Sequence, residues 1–234
     1  MSWVLANLPT IAGHLLAHLL QAVPAIVASF ILAIPIARLA RVARPLRALL
    51  VTGSSLLYAV PSLALFVILP IILATGIRDP LNVIVALTLY GLALLVPATA
   101  DALDAVDARV LDAATAMGMG RLRCFLTVEL PLAGPAILTG LRVVTVSTIS
   151  LTTVGAVLGV RSLGWLFTDG FQRGVTAEIL TGLVSTAALA LILDGLVLAL
   201  GRLCLPWTWK RVGTSGAAVA GVGAATSGSQ EGKA

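Results

Sequence analysis

Few side chains in this chain of 234 residues can do chemistry, and their spacing does not build a catalytic centre. His14 and His18 stand four apart on one helix face, a spacing that can ligate a metal. No Cys or carboxylate lies near them in sequence, so they read as a polar start to an apolar segment and no metal is expected. Cys124 and Cys204 are the only cysteines, and both fall where the reducing side of a membrane is expected, so no disulfide framework is indicated. The only lysines, Lys210 and Lys233, follow no Gly-rich loop. The chain therefore lacks the Gly-Lys-Ser/Thr that cradles nucleotide phosphates. Tyr58 and Tyr90 are the two tyrosines, both inside apolar stretches, with Pro61-Ser62 just after the first. They read either as packing residues or as part of a permeation path, which Pro61 would help to open by breaking a helix. Arg142 and Asp194 are charges inside apolar stretches, where an isolated charge is costly and needs a partner or water.

The elements that must carry these residues are membrane spans. The chain is 59% hydrophobic and 11% charged, with mean hydropathy +1.07; a soluble domain carries roughly 25% charged residues. Five apolar stretches are long enough to cross a hydrocarbon layer about 30 Å thick: Leu15–Ala37, a run within Ala48–Ile77 that can tilt or carry a re-entrant end, Leu81–Ala100, Pro135–Val160 and Ile179–Gly201. The fold class is all-α and polytopic. No basic residue precedes Arg38, so the start does not read as a cleaved signal, and the first stretch is expected to be retained.

Charge orients the spans. Alternating sides groups Arg38–Arg47, Asp101–Gly134 and the tail from Arg202 against the N-terminus, Arg78–Pro80 and Arg161–Glu178. The first group holds eleven Arg and Lys and the second three. This bias puts the N-terminus outside and the C-terminus in the cytoplasm. It also accounts for the net charge of +5 without nucleic acid. Residues 1–205 form the transmembrane domain. Residues 206–234 read as a largely disordered cytoplasmic tail, rich in Gly, Ala, Ser and Thr from Thr214, with Trp207 and Trp209 just before that stretch as interfacial anchors. Gly155 and Gly159 form a G-x-x-x-G, from which close helix packing is expected. Arg142 and Asp194 each lie about 10 Å in from the cytoplasmic side at 1.5 Å per residue. Either they pair, or Arg142 snorkels and Asp194 faces a wet cavity.

The polar stretch of about 101–134 lies between the third and fourth spans. Good helix formers run to Met117, Gly118 and Gly120 bracket Met119, and a second short helix is expected over about Arg121–Glu129, ended by Pro131. Two short helices meeting at a corner with an exposed Met would make a knob for a groove on another protein.

Asp112-Ala113-Ala114, Gly118 four residues on, and Leu130-Pro131 about a dozen after that resemble the EAA loop of binding-protein-dependent ABC importer permeases. Tyr58-Ala59-Val60-Pro61-Ser62-Leu63-Ala64-Leu65 is similar to the T-[IV]-P-S-L-A-L stretch of the quaternary-amine osmoprotectant permeases. So is Ile84–Gly140, and Ser162-Leu163-Gly164 stands where those permeases have G-G-L-G. The similarity covers about residues 15–200. Asp112 stands for the usual Glu, Arg161-Ser162 replaces the start of the Gly-rich loop, and Tyr58 stands where a polar residue is usual.

The resemblance implies the type I, methionine-permease-like membrane fold, with Asp112, Ala113, Ala114, Gly118, Met119, Gly120, Leu130 and Pro131 in a loop that couples to an ATPase. It implies a non-enzymatic subunit that binds no cofactor, with ATP and Mg on a cytoplasmic ATPase dimer. It also implies a substrate-binding protein outside, a second permease subunit identical or related, and a multi-pass place in the cell membrane. The cargo it implies is glycine betaine, choline, carnitine or proline betaine. An amino acid or other small polar solute through the same architecture is the alternative. A non-transporting scaffold leaves the loop unexplained, and a membrane enzyme lacks a His, Cys or carboxylate cluster.

Overall fold

The computed structural model describes residues 2–42 and 44–208. Trp209 and the expected tail beyond it lie outside the described residues. Every regular element among the described residues is helical. Four helices are long and apolar enough to span a membrane, and a bent pair raises the number to five.

Helix α1 (Ser2–Ala6) leads into α2 (Leu8–Val42), which is 35 residues long. At 1.5 Å per residue α2 measures about 52 Å, so it tilts or projects from a hydrocarbon layer of about 30 Å. It extends past the expected Leu15–Ala37 at both ends, because hydropathy marks only the apolar part of a helix. Its buried face is small: Ala22, Ala25, Ser29, Ala33, Ala37 and Ala40. Small residues let backbones approach closely, and α5 (Pro80–Asp104) does so. A Cβ on Gly91 would come within 2.6 Å of the Ser29 side chain. Helix α5 is the centre of the fold, packed by α2, by α3 (Arg44–Tyr58) and by α8 (Leu130–Thr152). Over half of its most apolar stretch is buried, 56%, against 6% for α10 (Thr176–Cys204), which leaves α10 largely outward-facing.

The run Ala48–Ile77 is broken. Helix α3 and helix α4 (Ser62–Leu73) meet at 109° across Ala59–Pro61. Pro61 has no N–H to continue a helix. The carbonyl of Val60, released by the break, accepts a hydrogen bond from the Tyr90 hydroxyl at 2.5 Å. The break therefore sits against the middle of α5, and α4 packs Leu65, Phe66 and Leu69 on Val83, Leu87 and Tyr90.

The structure corrects the expectation for Gly155 and Gly159. They lie in and just after a 3-10 turn, Thr153–Leu158, that ends α8. Gly155 packs near Val83, while Gly159 closes the turn at φ +78°. One is a contact and the other a turn residue, so together they form no helix–helix stripe. Helix α9 (Trp165–Arg173) then folds back before α10 begins.

Candidate functional site: the polar segment and the charges behind it

The segment between α5 and α8 opens with Asp107, whose carboxylate accepts from the N–H of Arg109 at 2.9 Å and caps α6 (Ala108–Ala116). The Arg109 guanidinium bonds the same carboxylate, and these two donors hold the Asp107 carboxyl below its usual range. Helix α6 ends in a Schellman motif: Met119 N–H donates to the Ala114 carbonyl at 3.2 Å and Gly118 N–H to the Thr115 carbonyl at 2.9 Å. Gly118 sits at φ +82°, the left-handed region that favours glycine. Gly120 then starts α7 (Arg121–Cys124).

The second short helix does not end at Pro131. After α7 the chain widens into a π-turn, Phe125–Glu129, in which Leu130 N–H reaches back five residues to the Phe125 carbonyl. The helix then continues as α8 with Pro131 in its first turn, where a missing N–H matters least. The extra residue in the π-turn resets the hydrogen-bond ladder that Pro131 would otherwise interrupt. The segment is thus one short helix, a glycine corner, and the protruding start of a long one. The exposed methionine at the corner is Met117, not Met119, which is half-buried. Asp112 and Ala113 are exposed, and Ala114 is buried. Leu122 and Leu126, four apart, are also exposed.

Behind this surface lies a set of charges whose basic members count in the sequence only as orientation signals. Arg41 bridges Asp104, at 3.4 Å, and Glu129. Arg47 also pairs with Asp104. The Arg38 guanidinium lies 3.8 Å from the centre of the Phe125 ring. The ends of α2, α3 and α5 are thereby tied to the π-turn. Arg at 38 and 41 on one face of α2 is the signal that could have found this.

Arg142 on α8 and Asp194 on α10 meet as a fork: Nε donates to Oδ1 at 2.8 Å and Nη2 to Oδ2 at 2.6 Å. Tyr58 and Tyr90 meet edge-to-face, ring centres 6.0 Å apart, beside the break at Pro61-Ser62. Tyr90 is buried and Tyr58 half-exposed.

At the opposite end, α2 holds the 161–165 loop. His14 stacks on Trp165 at 4.7 Å, His18 Nδ1 accepts from Leu163 N–H at 3.4 Å, and Gln21 donates to the Arg161 carbonyl at 2.7 Å. The two histidines are thus engaged with the loop. No group of three or more His, Cys, Asp or Glu that could hold a metal occurs among the described residues.

A family model described as "Binding-protein-dependent transport system inner membrane component" matches residues 25–205. The choline transport system permease protein of Bacillus subtilis is 29% identical over 197 residues, 84% of this chain and 86% of that one. The glycine betaine/carnitine/choline transport system permease protein of the same organism is 30% identical, covering 76% of each. An ergothioneine transport permease/ergothioneine binding protein of Helicobacter pylori is 32% identical, and this chain spans 27% of its length. Among solved structures, inward-facing MetNI methionine ABC transporter superposes with TM-score 0.67 at 21% identity, over 88% of this chain and 96% of that one.

Proposed function

The chain belongs to the family of binding-protein-dependent transport system inner membrane components, and from that membership we propose that it is the permease subunit of an ABC importer for quaternary-amine osmoprotectants. Glycine betaine, choline, carnitine and proline betaine are the cargo. The observation that carries the reading is the likeness over most of the chain to permeases named for choline, carnitine and glycine betaine transport.

In this reading the segment end faces the cytoplasm and the N-terminus faces outside, which the eleven-to-three bias of basic residues supports. Met117, Leu122 and Leu126 enter a groove on a separate ATPase, the subunit that binds ATP and Mg. Asp112, Ala113, Ala114, Gly118, Met119, Gly120, Leu130 and Pro131 shape that contact. Closure of the ATPase dimer pushes the π-turn, and Arg41 and Arg38 carry the push to α2 and α5. A binding protein delivers the solute outside. A second permease subunit covers the outward face of α10 and completes the pathway, with Tyr58, Pro61, Ser62 and Tyr90 beside it where the broken pair faces α5. Two rings cannot cage a quaternary ammonium, so the solute passes without being tightly held.

Co-purification with an ATPase, followed by ATP-driven uptake of the four labelled amines and of ergothioneine into proteoliposomes with the binding protein, tests the reading. Uptake of an amino acid in their place would overturn the cargo. Absence of a co-purifying ATPase would overturn the coupling. Topology is tested by thiol labelling of Arg173→Cys and Arg123→Cys in a chain whose native cysteines are serine. Only the first should react in intact cells.

A further inference from the structure

A cavity of about 400 Å³ opens at the end away from the polar segment, between the α4–α5 loop, the 3-10 turn after α8, and α9. Its volume lies in the range of about 300–1,000 Å³ found for small-molecule sites. Its walls carry opposite charges. Arg78 is on one side, lying across the turn so closely that a Cβ on Gly159 would come within 3.0 Å of its Nε. Arg78 is exposed and has no ion-pair partner among the described residues. Trp165 and Asp169, a turn apart on α9, stand on the other side. His14 stacked on the indole fixes its plane. Asp169 Oδ2 accepts from Arg173 at 3.0 Å, and Glu178 lies within electrostatic reach of Asp169. Glu178 is fully buried and does not line the cavity. Asp169 is thus the one carboxylate that lines the cavity, beside an aromatic ring.

We propose that this cavity is a receiving site for a zwitterion that joins a quaternary ammonium to a carboxylate, with Arg78 taking the carboxylate and Trp165 and Asp169 taking the ammonium. The proposal rests on the importer reading and names where that importer first holds its solute. A methylated ammonium donates no hydrogen bond, so it is recognised by an aromatic face and a nearby negative charge. The unpaired guanidinium across the cavity supplies the charge-assisted donors a carboxylate needs. Because Arg78 is exposed and has no ion-pair partner among the described residues, replacing it chiefly removes a ligand contact.

The test is saturation-transfer NMR on the whole importer in nanodiscs, without binding protein, using the N-methyl protons of glycine betaine and of tetramethylammonium as probes. Glycine betaine should receive magnetisation. Arg78→Ala should weaken its binding roughly tenfold, the usual worth of one charged hydrogen bond, and leave tetramethylammonium unchanged. Asp169→Asn and Trp165→Ala should weaken both, and Trp165→Phe should restore most of the loss. No transfer to glycine betaine in the unmodified complex would overturn the site, and so would equal transfer in Arg78→Ala. An Arg78→Ala complex that binds glycine betaine normally but docks the binding protein more weakly would overturn it in favour of a docking surface. If the unmodified complex imports glycine betaine yet fails the NMR test, the site falls and the importer reading stands. If it imports no quaternary amine, both fall.

Discussion

The two ends of the helical bundle are tied in opposite ways. At the polar-segment end, α2 reaches the π-turn through partly exposed charges, Arg41 on Glu129 and Arg38 over Phe125, while Asp104 of α5 takes both Arg41 and Arg47 of α3. At the other end the same helix reaches the 161–165 loop through buried neutral groups, with His18 on Leu163 N–H and Gln21 on the Arg161 carbonyl. Ion pairs that keep part of their surface in solvent are screened by salt and can exchange with water. A buried polar group deprived of its partner has no water to turn to. One helix thus carries an exchangeable joint at the segment end and a fixed one at the other, an arrangement that suits the proposed coupling to a moving partner.

The largest effect that would break this comparison is at the corner itself. Gly118→Trp should insert and fold but lose nearly all substrate-stimulated ATP hydrolysis, whereas Gly118→Asn should keep most of it. Asn tolerates the left-handed conformation. A Cβ at Gly118 meets nothing within 4 Å, so a loss from Trp comes from strain at its positive φ or from the partner's surface, not from internal crowding. Normal coupling in the Trp variant would remove the corner from the docking face.

The next effect sharpens the fixed end. Gln21→Leu removes a buried donor and leaves the part-buried Arg161 carbonyl without it, and should cost about 1–3 kcal/mol of stability in detergent. Chemical denaturation at low and high salt should give the same loss. A loss that vanished in salt would make this end resemble the other.

Between the two ends, the Arg142–Asp194 fork joins α8 to α10. Arg142→Ala and Asp194→Ala should each lower folded yield, and the double variant should lose less than the two single losses combined. Strictly additive losses would mean that the two charges do not act as a pair.

The smallest effect on stability is Arg41→Ala, at the exchangeable end. It should lower the thermal midpoint only slightly, and salt should erase the difference. Its larger signature should be in coupling, as uptake falling more than ATP hydrolysis. A salt-independent loss like that of Gln21→Leu would abolish the contrast between the ends.

Periodicity and composition made the helical class, the number of spans and the place of the polar segment legible, because each depends on runs of residue types longer than any local accident. Gly118 and Pro131 marked a corner and a helix boundary through their own backbone chemistry. That chemistry is local, and only Pro131 misled: a π-turn five residues long let the helix run through it. What tertiary structure decided was which groups meet. Arg38, Arg41 and Arg47 look in sequence like the basic residues of any cytoplasmic loop, and their partners Asp104 and Glu129 lie dozens of residues away. His14 and His18 were legible as one helix face, but not as the buttress of a loop more than 140 residues on. The pairing of Arg78 with Trp165 and Asp169 around one cavity was likewise invisible. Helix periodicity fixes which face a side chain occupies, whereas the packing of small residues on α2 against α5 sets which distant segments that face will meet.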